Sequence, residues 1–208
     1  MIPSIKPGAE FPDYELPDHT NTKRKLSFLQ QNYAMILVLS RGNYCPKDKQ
    51  QLLQLAEFSK QCTVGYTKIV TITTDELLEV NEFRASVGAN WPFLYDPERK
   101  LQKELDIQEY TDSKHDPMIP YTFVLEPGLK IFKIYCGYWY WGRPSTTELH
   151  QDLRELYSKQ RPDWKIDTEE MREKWKDEKN RNKNFYPYGR SWEKEFANIA
   201  GAVELYEK

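Results

Sequence analysis

Three cysteines, three histidines and 32 acidic side chains are the groups of this 208-residue chain that could carry nucleophilic, metal or acid–base chemistry. Cys45 has the most telling setting. The segment Ser40-Arg41-Gly42-Asn43-Tyr44-Cys45-Pro46-Lys47-Asp48 follows an apolar run, Tyr33 to Leu39, and precedes a stretch of helical periodicity. A thiol is thereby placed at a predicted helix N-terminus, where unpaired backbone N–H groups and the positive end of the helix dipole favour an anion. Cysteines so placed tend to ionise, and the thiolate is the nucleophile. Arg41, four residues upstream, supplies a cation. Asp48, three residues on, opposes thiolate formation unless its side chain turns to solvent, which is the expectation here.

The remaining candidates are less pointed. Cys62 lies at the far end of the same predicted helix, about 25 Å from Cys45 at roughly 1.5 Å per residue, too far to pair without unfolding. Cys136 falls on a predicted strand and reads as core. His19, His115 and His150 are widely spaced, and without a Cys-x-x-Cys or His-x-x-x-His pairing neither a metal site nor any cofactor is expected. Tyr138-Trp139-Tyr140-Trp141 stands just before Arg143, where it either lines a substrate or partner groove or packs against the core or a second subunit.

The elements that must position Cys45 alternate along the chain. Tyr33 to Leu39 reads as a buried strand, and residues 46–61 as a helix with Leu52, Leu55, Ala56 and Ser59 on one face and Pro46 suited to its first turn. Lys68 to Thr74 is rich in β-branched residues. Asp75 then opens a helix carrying Leu77, Val80, Phe83 and Val87, which Gly88 ends. Asp96-Pro97 reads as an N-cap and first helical residue leading a short helix with Leu101 and Leu105. Tyr121 to Leu125 and Lys130 to Cys136 flank Glu126-Pro127-Gly128-Leu129 as a hairpin. Ser145-Thr146-Thr147-Glu148 is a capping box before an apolar stripe of Leu149, Leu153, Leu156 and Tyr157. The predicted order is β-α-β-α-β-β-α, an α/β domain over residues 1–161 with a central mixed sheet flanked by helices.

From about Pro162 the apolar content shifts to aromatics, Trp164, Trp175, Phe185, Tyr186, Tyr188, Trp192 and Phe196, in a strongly charged background. Residues 162–208 read as a helical, aromatic-rich extension, with a polar helix over 167–183, laid on the core or on a second subunit of a homodimer. A net charge of −2 gives no reason to expect nucleic acid or an anionic membrane as partner. No apolar run reaches the roughly 18 residues of a membrane span, and the first residues lack the apolar core of a signal peptide. An odd cysteine count without regular spacing fits a reducing compartment, so the expected location is cytoplasmic.

The residues also invite a family comparison. The element order, with a nucleophile between the first central strand and its helix, resembles the thioredoxin fold, and several stretches are similar to the peroxiredoxin (AhpC/TSA) superfamily, in particular its redoxin-like branch. Residues 7–18, beginning Pro7-Gly8-Ala9-Glu10-Phe11-Pro12, resemble its N-terminal strand segment. Ser40-Arg41-Gly42-Asn43-Tyr44-Cys45-Pro46 is similar to its Arg-Gly-x-Trp-Cys-Pro loop. Thr71 to Asp75 and Pro92 to Pro97 resemble the next strand and the loop after the second helix, and Met118 to Leu125 the segment in which a cis-proline faces the active cysteine.

The resemblance implies a one-cysteine thiol peroxidase. Cys45 would attack a hydroperoxide with the help of Arg41, and an external thiol reductant, thioredoxin or glutathione, would restore it. Gly42, Tyr44, Pro46, Asp48, Pro120, Tyr121 and Arg143 are the implied pocket candidates, with Pro120 in cis. The chain departs from the pattern in three places. Where the common loop has Pro-x-x-x-Thr-x-x-Cys it has Val38 and Gly42, so the orienting hydroxyl is missing. Asp48 stands where the redoxin-like branch often has a second cysteine, and Tyr121 lies about where the family draws an arginine from a later strand, leaving Arg41 and Arg143 as substitutes. These losses would equally suit a thioredoxin-fold interaction or redox-sensing protein with little turnover.

Overall fold

The structure, a computed structural model, describes residues 1–177 and 179. Five strands form the central sheet: β3 (Ala34–Leu39), β4 (Thr67–Thr73), β5 (Phe93–Tyr95), β6 (Tyr121–Glu126) and β7 (Lys130–Cys136). Their spatial order is β5-β4-β3-β6-β7. The first three run parallel, whereas β6 is antiparallel to β3 and β7 is antiparallel to β6. A small ribbon of β1 (Glu15–Pro17) and β2 (Lys23–Lys25) precedes the sheet. This is the thioredoxin-like α/β fold expected from the sequence. The segment 92–97, read there as a loop, contributes the edge strand β5, whose three residues are all buried.

Period-two alternation divides the sheet's side chains between two cores. Met35, Leu37 and Leu39 of β3 face one side with Phe123 and Leu125 of β6, the N-terminal Phe11 and Leu16, Leu26 of α1 (Leu26–Gln30) and Leu101 of α4 (Lys100–Glu104). Ala34, Ile36 and Val38 face the other with Val124. There they meet Leu52, Leu55 and Phe58 of α2 (Pro46–Val64), Val80 and Phe83 of α3 (Leu77–Ser86), and Leu149, Leu153 and Leu156 of α5 (Thr146–Gln160). All six residues of β3 are buried, which explains why it reads as an unbroken apolar run rather than an alternating one.

Several boundaries differ from the sequence reading, each for a local reason. Asp75 does not open α3; the N-cap is Glu76, whose N–H donates to Glu79 at 3.2 Å, and this frees Asp75 for the Cys45 loop. The helix after Asp96-Pro97 begins only at Lys100. Arg99 adopts a left-handed conformation, and the Asp96 carboxylate reaches forward to accept from Leu101 N at 2.7 Å. Ser145 caps α5 as expected, accepting from Glu148 N while Glu148 accepts from Ser145 N.

Pro120 is not in cis: no peptide bond among the described residues is. Ile119 N donates to Ile107 O at 2.6 Å, and Pro120 O accepts from Gly137 N at 2.8 Å, so the chain enters β6 already extended and paired on both sides. Beyond α5, the extension holds α6 (Glu169–Lys176), capped by Thr168 and burying Met171, and the Trp164 and Trp175 rings lie 6.2 Å apart. Phe185, Tyr186, Tyr188, Trp192 and Phe196 lie outside the described residues.

Candidate active site

Cys45 is the N-cap of α2, with Pro46 at the first helical position, where a missing N–H costs nothing. Its carbonyl accepts from Lys49 N at 3.0 Å, and its own N–H closes a turn onto Gly42 O at 3.1 Å. The residue is 3% exposed. It accepts no capping hydrogen bond, so the direct backbone contacts expected of the helix terminus are not made.

The cation at the sulfur is Arg143, with Nη2 3.9 Å from Cys45 Sγ. Its guanidinium is fixed from two sides: Nη1 donates to Gly137 O at 2.9 Å, and Nε donates to Asp48 Oδ1 at 2.6 Å. Nη2 also pairs with Asp48 Oδ1, at 2.5 Å. A two-point grip of this kind sets the orientation of the guanidinium plane as well as its position.

Asp48 therefore does the opposite of what the sequence suggested. Instead of turning to solvent it is 1% exposed, and its second oxygen accepts from Ser40 Oγ at 3.1 Å and Arg41 N at 2.6 Å. A buried carboxylate requires such partners. The end of β3, the first turn of α2 and the loop before α5 meet on this one side chain.

Arg41 makes its close ionic contacts with carboxylates rather than with the sulfur. Its Nη2 pairs with Glu109 at 2.9 Å and Asp112 at 3.1 Å, both from the segment between α4 and β6. Burial works against its charge, but Tyr44, Cys45 and Glu109 more than offset this and raise the guanidinium's pKa. It acts on the thiol only through space, and as a clamp it joins the Cys45 loop to the 109–116 segment. Tyr44 reinforces the clamp, donating from its hydroxyl to Asp112 at 3.0 Å and stacking on His115 with ring centres 3.7 Å apart. Burial first, then the bond to Asp112, push the Tyr44 hydroxyl above its ordinary pKa.

Gly42 is required by its backbone, at φ +113°, and by space: an added Cβ would lie 2.8 Å from the Asp75 carboxyl carbon. Asp75 accepts from Asn43 N at 2.9 Å, and burial raises its pKa. Tyr121 pairs in register with Leu39 on one side and Cys136 on the other, at the sheet end that carries the Cys45 loop. Burial, then a hydrogen bond to Cys136, raise its hydroxyl pKa.

Of the sequence candidates, Cys45, Asp48 and Arg143 converge directly, and Gly42, Tyr44 and Pro46 shape the loop. Pro120 is bonded to Gly137, whose carbonyl steadies Arg143. Glu109, Asp112, His115 and Asp75 were missed. No local motif marks them, and only the tertiary pairing of two loops could have revealed them. Cys62 stays buried at the other end of α2, its thiol pushed up to about 12 by burial. The three cysteines are free, and no cluster able to hold a metal occurs among the described residues.

Residues 7–134 match the family model described as the AhpC/TSA family. The chain belongs to the AhpC/TSA family. Among curated relatives of this AhpC/TSA protein, a Mycobacterium tuberculosis (strain H37Rv) protein provisionally named a peroxiredoxin is 23% identical over 130 residues, 62% of this chain and 84% of the relative. The thiol-disulfide oxidoreductase ResA of Bacillus subtilis (strain 168) is 24% identical over 135 residues, 64% of this chain and 69% of ResA. Solved structures with the same fold include the peroxidoxin BcpB of Mycobacterium tuberculosis, with a TM-score of 0.63 at 21% identity, covering 74% of this chain and 97% of BcpB. A cysteine-to-serine mutant of PrxQ from Xylella fastidiosa gives 0.61 at 16% identity, covering 74% of this chain and 96% of that one. No described helix is long and apolar enough to cross a membrane.

Proposed function

We propose that this AhpC/TSA protein is a thiol peroxidase of the one-cysteine type. The observation that carries the reading is the Arg143 guanidinium, held by Asp48 and Gly137 O with one nitrogen 3.9 Å from Cys45 Sγ. A cation so oriented can hold a peroxide oxygen beside the sulfur and stabilise the negative charge that develops on the leaving oxygen. The Cys45 thiolate attacks the terminal oxygen of a hydroperoxide; the S–O bond forms as the O–O bond breaks. The two electrons come from sulfur, the products are Cys45 sulfenic acid and an alkoxide or hydroxide, and a proton converts the latter to alcohol or water.

In this reading Arg143 takes the role the sequence gave to Arg41, and Ser40 Oγ, which accepts from Gly42 N and is bonded to Asp48, is a hydroxyl in the same loop as the position where one is missing. The one-cysteine assignment rests on Cys62, which is buried with its thiol pushed up to about 12 and lies at the opposite end of α2. An external thiol then attacks the sulfenic sulfur with loss of water, and a second thiol releases Cys45; thioredoxin and glutathione are the reductant classes to try.

Peroxide consumption, with Cys45→Ser as control, tests the reading. The wild-type chain should consume peroxide and the variant should not. Mass spectrometry of the oxidised protein should find a single trappable sulfenic acid at Cys45. A Cys45–Cys136 disulfide would refute the one-cysteine type, and an inert Cys45 would favour a sensing or interaction role on the same scaffold.

A further inference from the structure

A cavity of about 360 Å³ opens between α2 and α5, lined among others by Phe58, Cys62, Leu153, His150 and Arg154. It lies at the end of α2 remote from the thiol, about 25 Å from Cys45 at roughly 1.5 Å per residue. Its floor is apolar, since Phe58, Cys62 and Leu153 are all buried. Burial pushes the Cys62 thiol up to about 12, so Cys62 meets the cavity as a neutral, apolar group and not as a thiolate. The His150 ring stands at 62° to that of Phe58, with centres 6.1 Å apart, and forms part of the wall.

The rim carries positive charge, and no carboxylate among the described residues lines the cavity. Arg154 and His150 are four positions apart on α5, hence on one face of the helix. The acids near Arg154 in sequence are taken: Asp152 holds Lys133 and Tyr135, Glu155 holds Lys159, and among the described residues none pairs with Arg154. The opposing influence is the carbonyl end of α2, worth about half a negative charge. Its carbonyls are occupied: Gln61 O accepts from Gly65 N at 2.8 Å, Gly65 O from Thr67 Oγ1 at 3.2 Å, and Tyr66 O from the Tyr157 hydroxyl at 2.6 Å. The full charge of the guanidinium therefore sets the sign of the site.

We propose that this cavity binds a small aromatic carboxylate, its rings against Phe58, Leu153 and Cys62 and its acid group on Arg154, with His150 beside it. Volume sets the size. At roughly 30 Å³ per water-sized group the cavity takes about a dozen non-hydrogen atoms, which is a two-ring acid, and it falls within the roughly 300–1,000 Å³ of small-molecule sites. The paired rings of Phe58 and His150 favour an aromatic body, which gains edge and face contacts from them. The assignment stands apart from the peroxidase reading, because the cavity and the thiol lie at opposite ends of α2.

The test titrates 1-naphthoate into the full chain and follows the imidazole Cε1–H resonances of His19, His115 and His150 by NMR. The His150 resonance should move and the other two stay, with a Kd between about 0.1 and 1 mM for a ligand of this size. Naphthalene-1-methanol, which keeps the rings without the charge, should bind about tenfold more weakly, the low end for a hydrogen bond to a charged group. Arg154→Gln should lose the same factor for naphthoate and Arg154→Lys recover part of it; Arg154 is exposed on α5, so an unchanged melting curve is expected of both variants. Arg143→Met should leave the affinity as it is. A His150 resonance that stays put at millimolar naphthoate, equal affinity for the alcohol, or indifference to Arg154→Gln would overturn the assignment. Tighter binding of 1-naphthylmethylammonium would give the cavity to the α2 carbonyls and overturn it too. So would loss of affinity in Arg143→Met together with a moving His115, which would place the ligand at the thiol site.

Discussion

Asp48→Asn removes one negative charge from the centre of the site with almost no change in volume. The carboxylate accepts two bonds on each oxygen: Arg143 Nε and Nη2 on one, Ser40 Oγ and Arg41 N on the other. All four partners approach as donors. An amide can satisfy only the pair facing its oxygen, and its NH2 group is driven against the other two. Depriving a buried ion pair of one member costs about 3–5 kcal/mol, and leaving charge-assisted bonds unmade costs about 1.5–3 kcal/mol each. With one oxygen retained and Arg143 able to relax toward solvent, the expected loss is about 3 kcal/mol. For a chain of this size that lowers the melting temperature by roughly 6–12 °C. Calorimetry of wild type, Asp48→Asn, Arg143→Met and the double variant measures the loss and the coupling, and the double variant should be clearly more stable than the sum of the singles implies. A loss under about 1 kcal/mol, or strict additivity, would show that the pair seen between Asp48 and Arg143 does not organise the site.

Alkylation gives a second check: Arg143→Ala should slow iodoacetamide modification of Cys45 more than Arg41→Ala does, because Arg143 bonds to the sulfur whereas Arg41 acts on it through space while paired with Glu109 and Asp112, as rates resolved by peptide mass spectrometry would show. Cys62, with its thiol pushed up to about 12 by burial, should remain unmodified at neutral pH until the protein unfolds; modification at the rate of an exposed thiol would refute its burial. Gly42→Ala should cost about 3 kcal/mol in urea unfolding, since the new Cβ meets both a positive φ and the Asp75 carboxylate; a silent substitution would contradict the loop geometry. Asp18 has its pKa lowered from 3.8 to about 2: burial pushes it up, but the Thr20 hydroxyl, the Thr22 and Thr20 N–H groups and Arg24 outweigh that. Its stabilisation is thus full above about 3.8 and lost as pH falls through about 2, and Asp18→Ala should flatten that part of the stability–pH curve.

Those features that depend on neighbours in sequence could be read before any coordinates. The apolar run of β3, Pro46 at the start of α2, the capping box at Ser145 and the turn around Gly128 are each specified by a few adjacent residues, and they sufficed for the thioredoxin-like order of elements. What escaped is tertiary. Three residues, Phe93 to Tyr95, carry too little pattern to mark an edge strand. The direction of the Asp48 side chain depends on a guanidinium 95 positions later in the chain, and Arg41 is drawn off by Glu109 and Asp112 from a segment without periodicity. Arg41 is the arginine near Cys45 in sequence, whereas the contact of Arg143 with the sulfur spans 98 positions and exists only in the fold.

That separation bears on the history of each molecule during synthesis. At roughly 5–20 residues per second, Cys45 leaves the ribosome several seconds before Arg143 does, and in that interval the cysteine has neither the cation that faces it nor the Asp48–Arg143 pair that organises its loop. The growing chain thus carries the cysteine alone, and the assembled site comes into being only when the loop before α5 joins the sheet. Completion of the fold is in this way the step that brings the guanidinium to the cysteine, so that a truncated or stalled chain holds Cys45 without Arg143.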